Sequence, residues 1–173
     1  MYLISVYFDD KTNRIISRYI SRIAEKTGNA FMTENHVPPH MTISSIEART
    51  GALLIPHMKK LEGIVSQGTV QFVSVGMFFP YVMYLTPVLN EYLQNLAQNV
   101  YKAVSDIPEI KINKFYQPMQ WLPHITLGKK LSSKEMRIAF EIMQNEFTPF
   151  EGKVVSMGLA KTNPHEDILI IEL

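Results

Sequence analysis

One five-residue pattern occurs twice in this chain of 173 residues and constrains its fold more than any other feature. The pattern is Pro-His-x-Thr followed by an aliphatic residue, at 39–43 and again at 123–127. His124 follows His40 after 84 residues, which is close to half the length of the chain. The surrounding elements also recur, in the order strand, helix, His-bearing strand, helix, strand. We therefore expect a duplicated unit whose two copies share one core.

Hydrophobic periodicity and turn signals predict the elements of both copies. In the first copy we expect strands over 2–9, 38–46 and 71–79, and helices over 13–27 and 51–66. In the second copy we expect strands over 81–85, 121–127, 154–159 and 168–173, and helices over 87–105 and from 132 onwards. Gly28-Asn29 ends the first helix, Pro87 starts the third, and an Asn163-Pro164 turn precedes the last strand.

These elements predict an α+β fold. We expect a bilobal, pseudo-two-fold duplication in which two small, mainly antiparallel sheets are flanked by helices and enclose a central cleft. The chain forms a single domain over 1–173, with lobes at roughly 1–80 and 81–173, and the arrangement allows strands to be exchanged between the lobes. No stretch has the composition of a flexible linker, which favours one shared core.

The motif itself suggests chemistry, because side chains on a strand alternate between its two faces. His40 and Thr42 therefore point the same way, as do His124 and Thr126, and the residues between them face a covering helix. Two imidazoles and two hydroxyls in one cleft suit hydrolysis of a phosphodiester. One neutral histidine removes a proton from water and one protonated histidine protonates the leaving oxygen. The threonines donate hydrogen bonds to the phosphate oxygens, and this chemistry needs no metal and no cofactor.

The paired motifs resemble those of the 2H phosphoesterase superfamily, which is named for two His-x-Thr/Ser motifs. That family includes RNA 2′,3′-cyclic phosphodiesterases, also called 2′-5′ RNA ligases. The segment 76–80, Gly-Met-Phe-Phe-Pro, looks like the family's turn between lobes. The resemblance implies that His40 and His124 are catalytic and that Thr42 and Thr126 bind phosphate. It also implies a 2′,3′-cyclic phosphate or a 2′-5′ linkage, on a nucleotide or an RNA end, as the substrate.

Several other side chains are candidates for smaller roles. Trp121, three residues before the second histidine, is the best candidate to stack on a base, and Tyr7 is expected in or near the cleft. Packing in the core is the commoner role for both rings. Lys129 and Lys130 either approach the phosphate or lie in a solvated loop, and the loop is the more frequent situation. The remaining histidines, which have no patterned partner, are read as ordinary core or surface residues: His36, His57 and His165.

Two rival functions stay open at this point. One is a non-catalytic protein that binds nucleotides or RNA ends in the same cleft. The other is a metal-dependent hydrolase, for which His36 and His40 have the i, i+4 spacing of helical metal ligands. Pro38 and Pro39 forbid a helix there, and the motifs carry no carboxylate, so we expect no metal site.

Composition limits the partners. The net charge is +1 and the basic residues are scattered, which argues against a surface for duplex DNA. The chain has no cysteine, so thiol chemistry and disulfides are excluded. No apolar run approaches the roughly 18 residues of a membrane helix, and the N-terminus does not resemble a signal peptide. We expect a cytoplasmic monomer that meets no membrane.

Overall fold

The structure is a computed structural model that describes residues 1–35, 37–162 and 165–173. Its eight strands are β1 (Tyr2–Phe8), β2 (His40–Glu47), β3 (Gly68–Phe78), β4 (Val82–Pro87), β5 (Lys111–Ile112), β6 (Ile125–Gly128), β7 (Phe150–Lys161) and β8 (Glu166–Glu172). Its α-helices are α1 (Asp10–Thr27), α2 (Phe31–Glu34), α3 (Ile55–Lys59), α4 (Glu91–Val104) and α5 (Ser133–Glu146). Two short 3₁₀ turns cover Gly51–Leu53 and Lys114–Tyr116. Within these residues no helix is both long and apolar enough to cross a membrane.

All strands belong to one antiparallel sheet, in the order β5-β2-β1-β7-β3-β4-β6, and β8 adds to the free side of β7. The predicted α+β class is confirmed, but the two expected sheets are continuous with each other. They join because β7 pairs with β1 over Val154–Lys161 and with β3 over Phe150–Val154. The long strands β3 and β7 therefore each belong to both halves of the sheet.

Two of the three long helices, α1 and α4, each cover a strand from the other half of the chain. Helix α1, from the first half of the chain, packs on β6, and helix α4, from the second half, packs on β2. Each His-bearing strand is thus covered by the helix of the other half. The buried residues that fill this interface come from one stripe of each helix: Ile16, Tyr19, Ile20 and Ile23 of α1, and Leu93, Leu96, Val100 and Val104 of α4. Their spacing is that of an amphipathic helix whose apolar face meets a sheet.

Local capping signals fix where the helices begin and end. Helix α1 starts after Asp9, whose side chain accepts from the amide of Thr12, and stops at Gly28 with a φ of 76°. That left-handed φ is tolerated best by glycine, and it confirms the predicted helix end. Helix α5 opens with a reciprocal capping box between Ser132 and Glu135, close to the predicted start.

Two predicted helices have different bounds in the structure. The helix expected over 51–66 is reduced to α3 between turns, because Pro56 fits only a first turn and Gly63 takes a φ of 74°. Pro87 ends β4 instead of opening a helix. Asn90 caps α4 by accepting from the amide of Leu93, a stronger start signal than a proline alone.

The second His-bearing strand is also shorter than expected. It begins at Ile125 and not at 121, since Pro123 has no amide hydrogen for the ladder. The short elements α2 and β5 were not predicted, because stretches of four and two residues carry no periodic signal. The turn predicted at Asn163-Pro164 falls outside the described residues.

The capping box generates a direct test of helix stability. Ser132→Ala removes the side-chain acceptor for the Glu135 amide, at 3.3 Å, and should lower the free energy of unfolding by about 1 kcal/mol. Urea denaturation measures this change. Ser133→Ala is the matched control, because Ser133 is the first residue inside the helix and equally exposed. Equal losses in both variants would contradict the capping role.

Candidate functional site

The two motif histidines have the same local geometry. Nδ1 of His40 lies 2.9 Å from the carbonyl oxygen of Pro38, and Nδ1 of His124 lies 2.8 Å from that of Leu122. A carbonyl oxygen can only accept, so in each neutral ring the proton is on Nδ1 and donates to the backbone. The Nε2 atom of each ring is therefore left with its lone pair available to a ligand.

The proline before each histidine explains this geometry. Pro39 and Pro123 fix φ near −65° and hold the preceding residue in extended conformation. The carbonyl two residues before each histidine is thereby presented to the imidazole at the start of the strand. The shared Pro-His dipeptide is thus the local cause of a shared ring orientation.

The two threonines have different neighbours across their strands. Thr42 pairs with Ser5 of β1, and the Ser5 hydroxyl donates to Thr42 Oγ1 at 3.3 Å. Both residues are buried: Ser5 is 2% exposed and Thr42 is 8% exposed. With its oxygen accepting from Ser5, the hydroxyl hydrogen of Thr42 is directed elsewhere and is free to donate to a bound anion. Thr126 instead pairs with Tyr84 of β4.

The curvature of the sheet brings the two motif strands together. β2 and β6 lie near opposite ends of the strand order, yet they contact each other. The Trp121 indole, which precedes β6, donates to the carbonyl oxygen of Thr42 at 3.0 Å. The pKa of His40 is lowered by burial and, to a smaller extent, by the positive charge of His124.

This contact changes our interpretation of Trp121. The ring is only 8% exposed and its N–H is already satisfied, so it cannot offer an open face to a base. Trp121 therefore has a structural role, since its hydrogen bond to Thr42 links the two motif strands. Tyr7 is likewise buried, but it lies beside His40 with the ring centroids 6.5 Å apart.

The surroundings of His40 are polar. The Tyr7 hydroxyl donates to Asp167 Oδ1 at 3.1 Å, and His165 Nε2 lies 3.3 Å from the same oxygen. A β-carbon added at Gly158 would come within 2.6 Å of the Tyr7 ring. Because Gly158 has no side chain, the Tyr7 ring can lie over β7 and its hydroxyl can reach Asp167 on β8.

The surroundings of His124 are aromatic. The Phe78 and Tyr84 rings meet the imidazole with centroids at 4.9 and 5.3 Å, both in edge-to-face geometry. Tyr84 in turn lies over Gly76, where an added β-carbon would come within 2.4 Å of the ring. Gly76 and Phe78 of the Gly-Met-Phe-Phe-Pro segment therefore help to form the aromatic surroundings of His124.

Burial lowers the pKa of both imidazoles below the ordinary value of 6.5. The carbonyl bonds at Nδ1 act in the opposite direction, since they favour the protonated rings. Both histidines are half-buried, so the loss of hydration is the larger influence on each pKa. Both imidazoles are therefore held mainly in the neutral form at neutral pH.

The other predicted residues lie elsewhere. Lys129 and Lys130 lie over the ring of Phe31, with Nζ atoms 5.7 and 4.6 Å from its centroid. His57 Nδ1 is 2.8 Å from the carbonyl oxygen of Ala103, as expected for a satisfied histidine. His36 is outside the described residues. In the described ranges, no three His, Asp or Glu side chains are grouped so as to hold a metal ion.

Sequence reasoning missed the polar neighbours of His40. We expected His165 to be an ordinary satisfied histidine, whereas its Nε2 atom has no hydrogen-bond partner within the described residues and lies 3.3 Å from Asp167 Oδ1. Asp167 was not singled out because no pattern links it to the motifs, from which it is distant in sequence. Ser5 carried a signal, because it alternates with Tyr7 on β1 with the same period as His-x-Thr on β2.

A family model identifies the family of this chain, and solved structures show its fold. Residues 16–166 match the sequence profile of the 2′-5′ RNA ligase superfamily. Crystal structures of Escherichia coli LigT with 3′-AMP and with ATP superpose with TM-scores of 0.66 and 0.58. Both are 13% identical to this chain and cover 99% of it, with 97% and 96% of LigT matched. A structure described as a phosphoesterase gives a TM-score of 0.57 at 12% identity, with 99% and 97% coverage. No curated protein matches the sequence significantly.

The lowered pKa values predict a loss of stability in acid. Because an imidazole with a lowered pKa binds its proton less readily in the folded state, stability is complete above about pH 6.5 and falls as the pH drops further. The double variant His40→Asn, His124→Asn should lose less stability than wild type between pH 7 and pH 5. Urea denaturation at both pH values measures the difference, and parallel losses would contradict the prediction.

Proposed function

Because the chain belongs to the 2′-5′ RNA ligase superfamily, as its resemblance to 2H phosphoesterases predicted, we propose that it is a metal-independent phosphodiesterase. The proposed reaction is hydrolysis of a 2′,3′-cyclic phosphate, or of a 2′-5′ linkage, on a nucleotide or an RNA end. His40 and His124 carry the acid/base chemistry and Thr42 and Thr126 hold the phosphate.

One observation supports this proposal above the others. Two imidazoles on strands that contact each other both have Nδ1 engaged by a backbone carbonyl, which leaves both Nε2 atoms for a ligand. A single histidine with this bond would be unremarkable. Two of them on contacting strands would supply an acid and a base whose ring orientation is already fixed, so little reorganisation is needed when substrate binds.

The proposed step conserves atoms and protons. One Nε2 accepts a proton from water as the water oxygen bonds to phosphorus. The other Nε2–H gives its proton to the ribose oxygen as the bond between that oxygen and phosphorus breaks. Negative charge accumulates on the two non-bridging oxygens, where the hydroxyls of Thr42 and Thr126 donate hydrogen bonds. The product is a ribose phosphomonoester.

A nucleotide is the proposed substrate class, on two grounds. The fold is shared with LigT, whose crystal structures hold 3′-AMP and ATP. The Phe78 ring beside His124 is also 39% exposed, and exposed aromatic rings stack on bases of any sequence. A monomer without cofactor is sufficient for the proposed chemistry.

Removal of either imidazole tests the mechanism. His40→Ala and His124→Ala should each lower kcat for 2′,3′-cyclic nucleotides by at least about 10²-fold, since each loses one proton transfer. The assay is run with EDTA present and circular dichroism confirms the fold. His57→Ala, which removes an imidazole bonded to the backbone far from the motifs, is the matched control.

The same assay separates the rivals. Full activity in either alanine variant would contradict two-histidine catalysis. Inactivation of wild type by EDTA would favour the metal-dependent hydrolase. Nucleotide binding without turnover, measured by calorimetry, would favour the non-catalytic binder.

The pH dependence of kcat/KM gives a second test. The active form has one protonated and one neutral imidazole, so its population is greatest between the two pKa values of the free enzyme. Both of these pKa values are lowered from 6.5. A bell-shaped profile with its maximum below pH 6.5 is therefore expected in initial-rate measurements, and a maximum above pH 7.5 would contradict it.

A further inference from the structure

A cavity opens on the sheet at the end of β2 that lies away from His40. It holds about 330 Å³ and is bounded by the end of β2, by β5 and by the 3₁₀ turn that follows β5. Its polar and aromatic lining comes from Ser45, Glu47, Lys111, Asn113, Lys114 and Phe115. None of these side chains takes part in the proposed chemistry, so this outer cavity needs an explanation of its own.

The outer cavity lies on the same face of the sheet as the motif of β2. Ser5 and Leu3 are two residues apart on β1 and so share a face. Their partners on β2 are Thr42 and Ser45, respectively, and cross-strand partners also share a face. Thr42 and Ser45 are three residues apart, which simple alternation would not allow, and the β-bulge between them supplies the extra residue. A path along β2 from the motif to the outer cavity therefore stays on one face of the sheet.

The lining of the outer cavity has the chemistry of a site for single-stranded nucleic acid. Lys111 and Lys114 supply two positive charges, and within the described residues no ion pair engages either of them. Phe115 is 64% exposed, and Lys114 Nζ lies 5.1 Å from its ring centroid. Glu47, which pairs with Lys111 across β2 and β5, is outnumbered by the two ammonium groups. A base can therefore stack on the exposed ring while the lysines contact a phosphate.

Hydrogen bonds fix the position of this ring relative to the motif. The Asn113 amide donates to the carbonyl oxygen of Ser45 at 2.9 Å, and the Asn113 side chain accepts from the Phe115 amide at 3.1 Å. Farther along the chain, the Trp121 indole donates to the carbonyl oxygen of Thr42 at 3.0 Å. The segment 113–121 is thus bonded to β2 at both ends, and the stacking surface is formed before a ligand binds.

We infer that the outer cavity binds an upstream nucleotide of a single-stranded RNA whose 3′-terminal cyclic phosphate lies at the motif histidines. Lys111 and Lys114 hold a backbone phosphate of this nucleotide, and its base stacks on Phe115. The assignment rests on the proposed two-histidine function and names its substrate class, an RNA end and not a free mononucleotide.

The distance between the two sites determines the length of the substrate. The five steps from His40 to Ser45 span roughly 16 Å at about 3.3 Å per residue, which is farther than one nucleotide reaches. The RNA chain extends in the 5′ direction from the motif, because the cyclic phosphate occupies its 3′ end. An oligonucleotide can therefore fill both sites at once, whereas a cyclic mononucleotide fills only the first.

Substrate length provides the first test. A tetranucleotide that ends in a 2′,3′-cyclic phosphate should have a kcat/KM at least about 10-fold above that of the matching cyclic mononucleotide. Phe115→Ala should lower kcat/KM on the tetranucleotide by about 5-fold or more, through KM, and leave the mononucleotide unaffected. Phe140→Ala removes an exposed ring of α5 outside the cavity. It is the matched control and should leave both values unchanged.

Salt dependence provides the second test. The double variant Lys111→Ala, Lys114→Ala should weaken the dependence of tetranucleotide kcat/KM on salt, because fewer counterions are released when the RNA binds. The slope of log kcat/KM against log salt should fall by about 0.7 for each phosphate contact that is lost. Lys102→Ala, at an exposed lysine of α4, is the matched control and should keep the wild-type slope.

The outcomes are distinct. Equal kcat/KM on the two substrates, or equal losses on both in Phe115→Ala, would overturn the outer cavity as an RNA site while the two-histidine function stands. Inhibition of tetranucleotide hydrolysis by hexaglutamate but not by an unphosphorylated RNA tetramer would identify an acidic peptide as the occupant and overturn the inference. Wild-type enzyme without turnover on either substrate would overturn the proposed function itself.

Discussion

The pairing of β3 with β7 is the constraint on which the rest of the structure depends. Each strand is long enough to serve both halves, so five residues of mutual pairing at Gly68–Phe72 convert two small sheets into one. Curvature of this joined sheet then brings β2 and β6 into contact, although they are far apart in strand order. The contact between the two motif strands therefore follows from the course of the joined sheet.

Within this sheet, the orientation of the two motif histidines depends on local hydrogen bonds to the backbone. Proline before each histidine, and a backbone carbonyl at each Nδ1, set the two imidazoles before any ligand arrives. Two glycines then admit the tyrosines that flank these rings, Tyr7 over Gly158 and Tyr84 over Gly76. The halves share this plan but fill it with different side chains: Tyr7 and its hydrogen bond to Asp167 beside His40, and the Phe78 and Tyr84 rings beside His124.

The sequence predicted the class of fold and most elements because their signals are local. Alternation on 39–43 and 123–127 placed each histidine with its threonine, and helical stripes predicted α1 and α4. It did not predict the joining of the sheets or the carboxylate near His40, since both depend on pairing between residues far apart in the chain. Asp167 pairs with Ala160 by way of a hairpin, and only the further pairing of β7 with β1 brings it to Tyr7.

The crosswise covering of the sheet has a consequence for how the chain is made. During synthesis, β1 and β2 emerge long before α4, which buries the outer face of β2, and before β7, which is the second neighbour of β1. While the chain is still on the ribosome, its first half therefore exposes apolar faces of β1 and β2 and the unpaired edge of β1. This exposure lasts until β7, which ends at residue 161, has been translated. A chain with this topology completes its core only after its second half has been made.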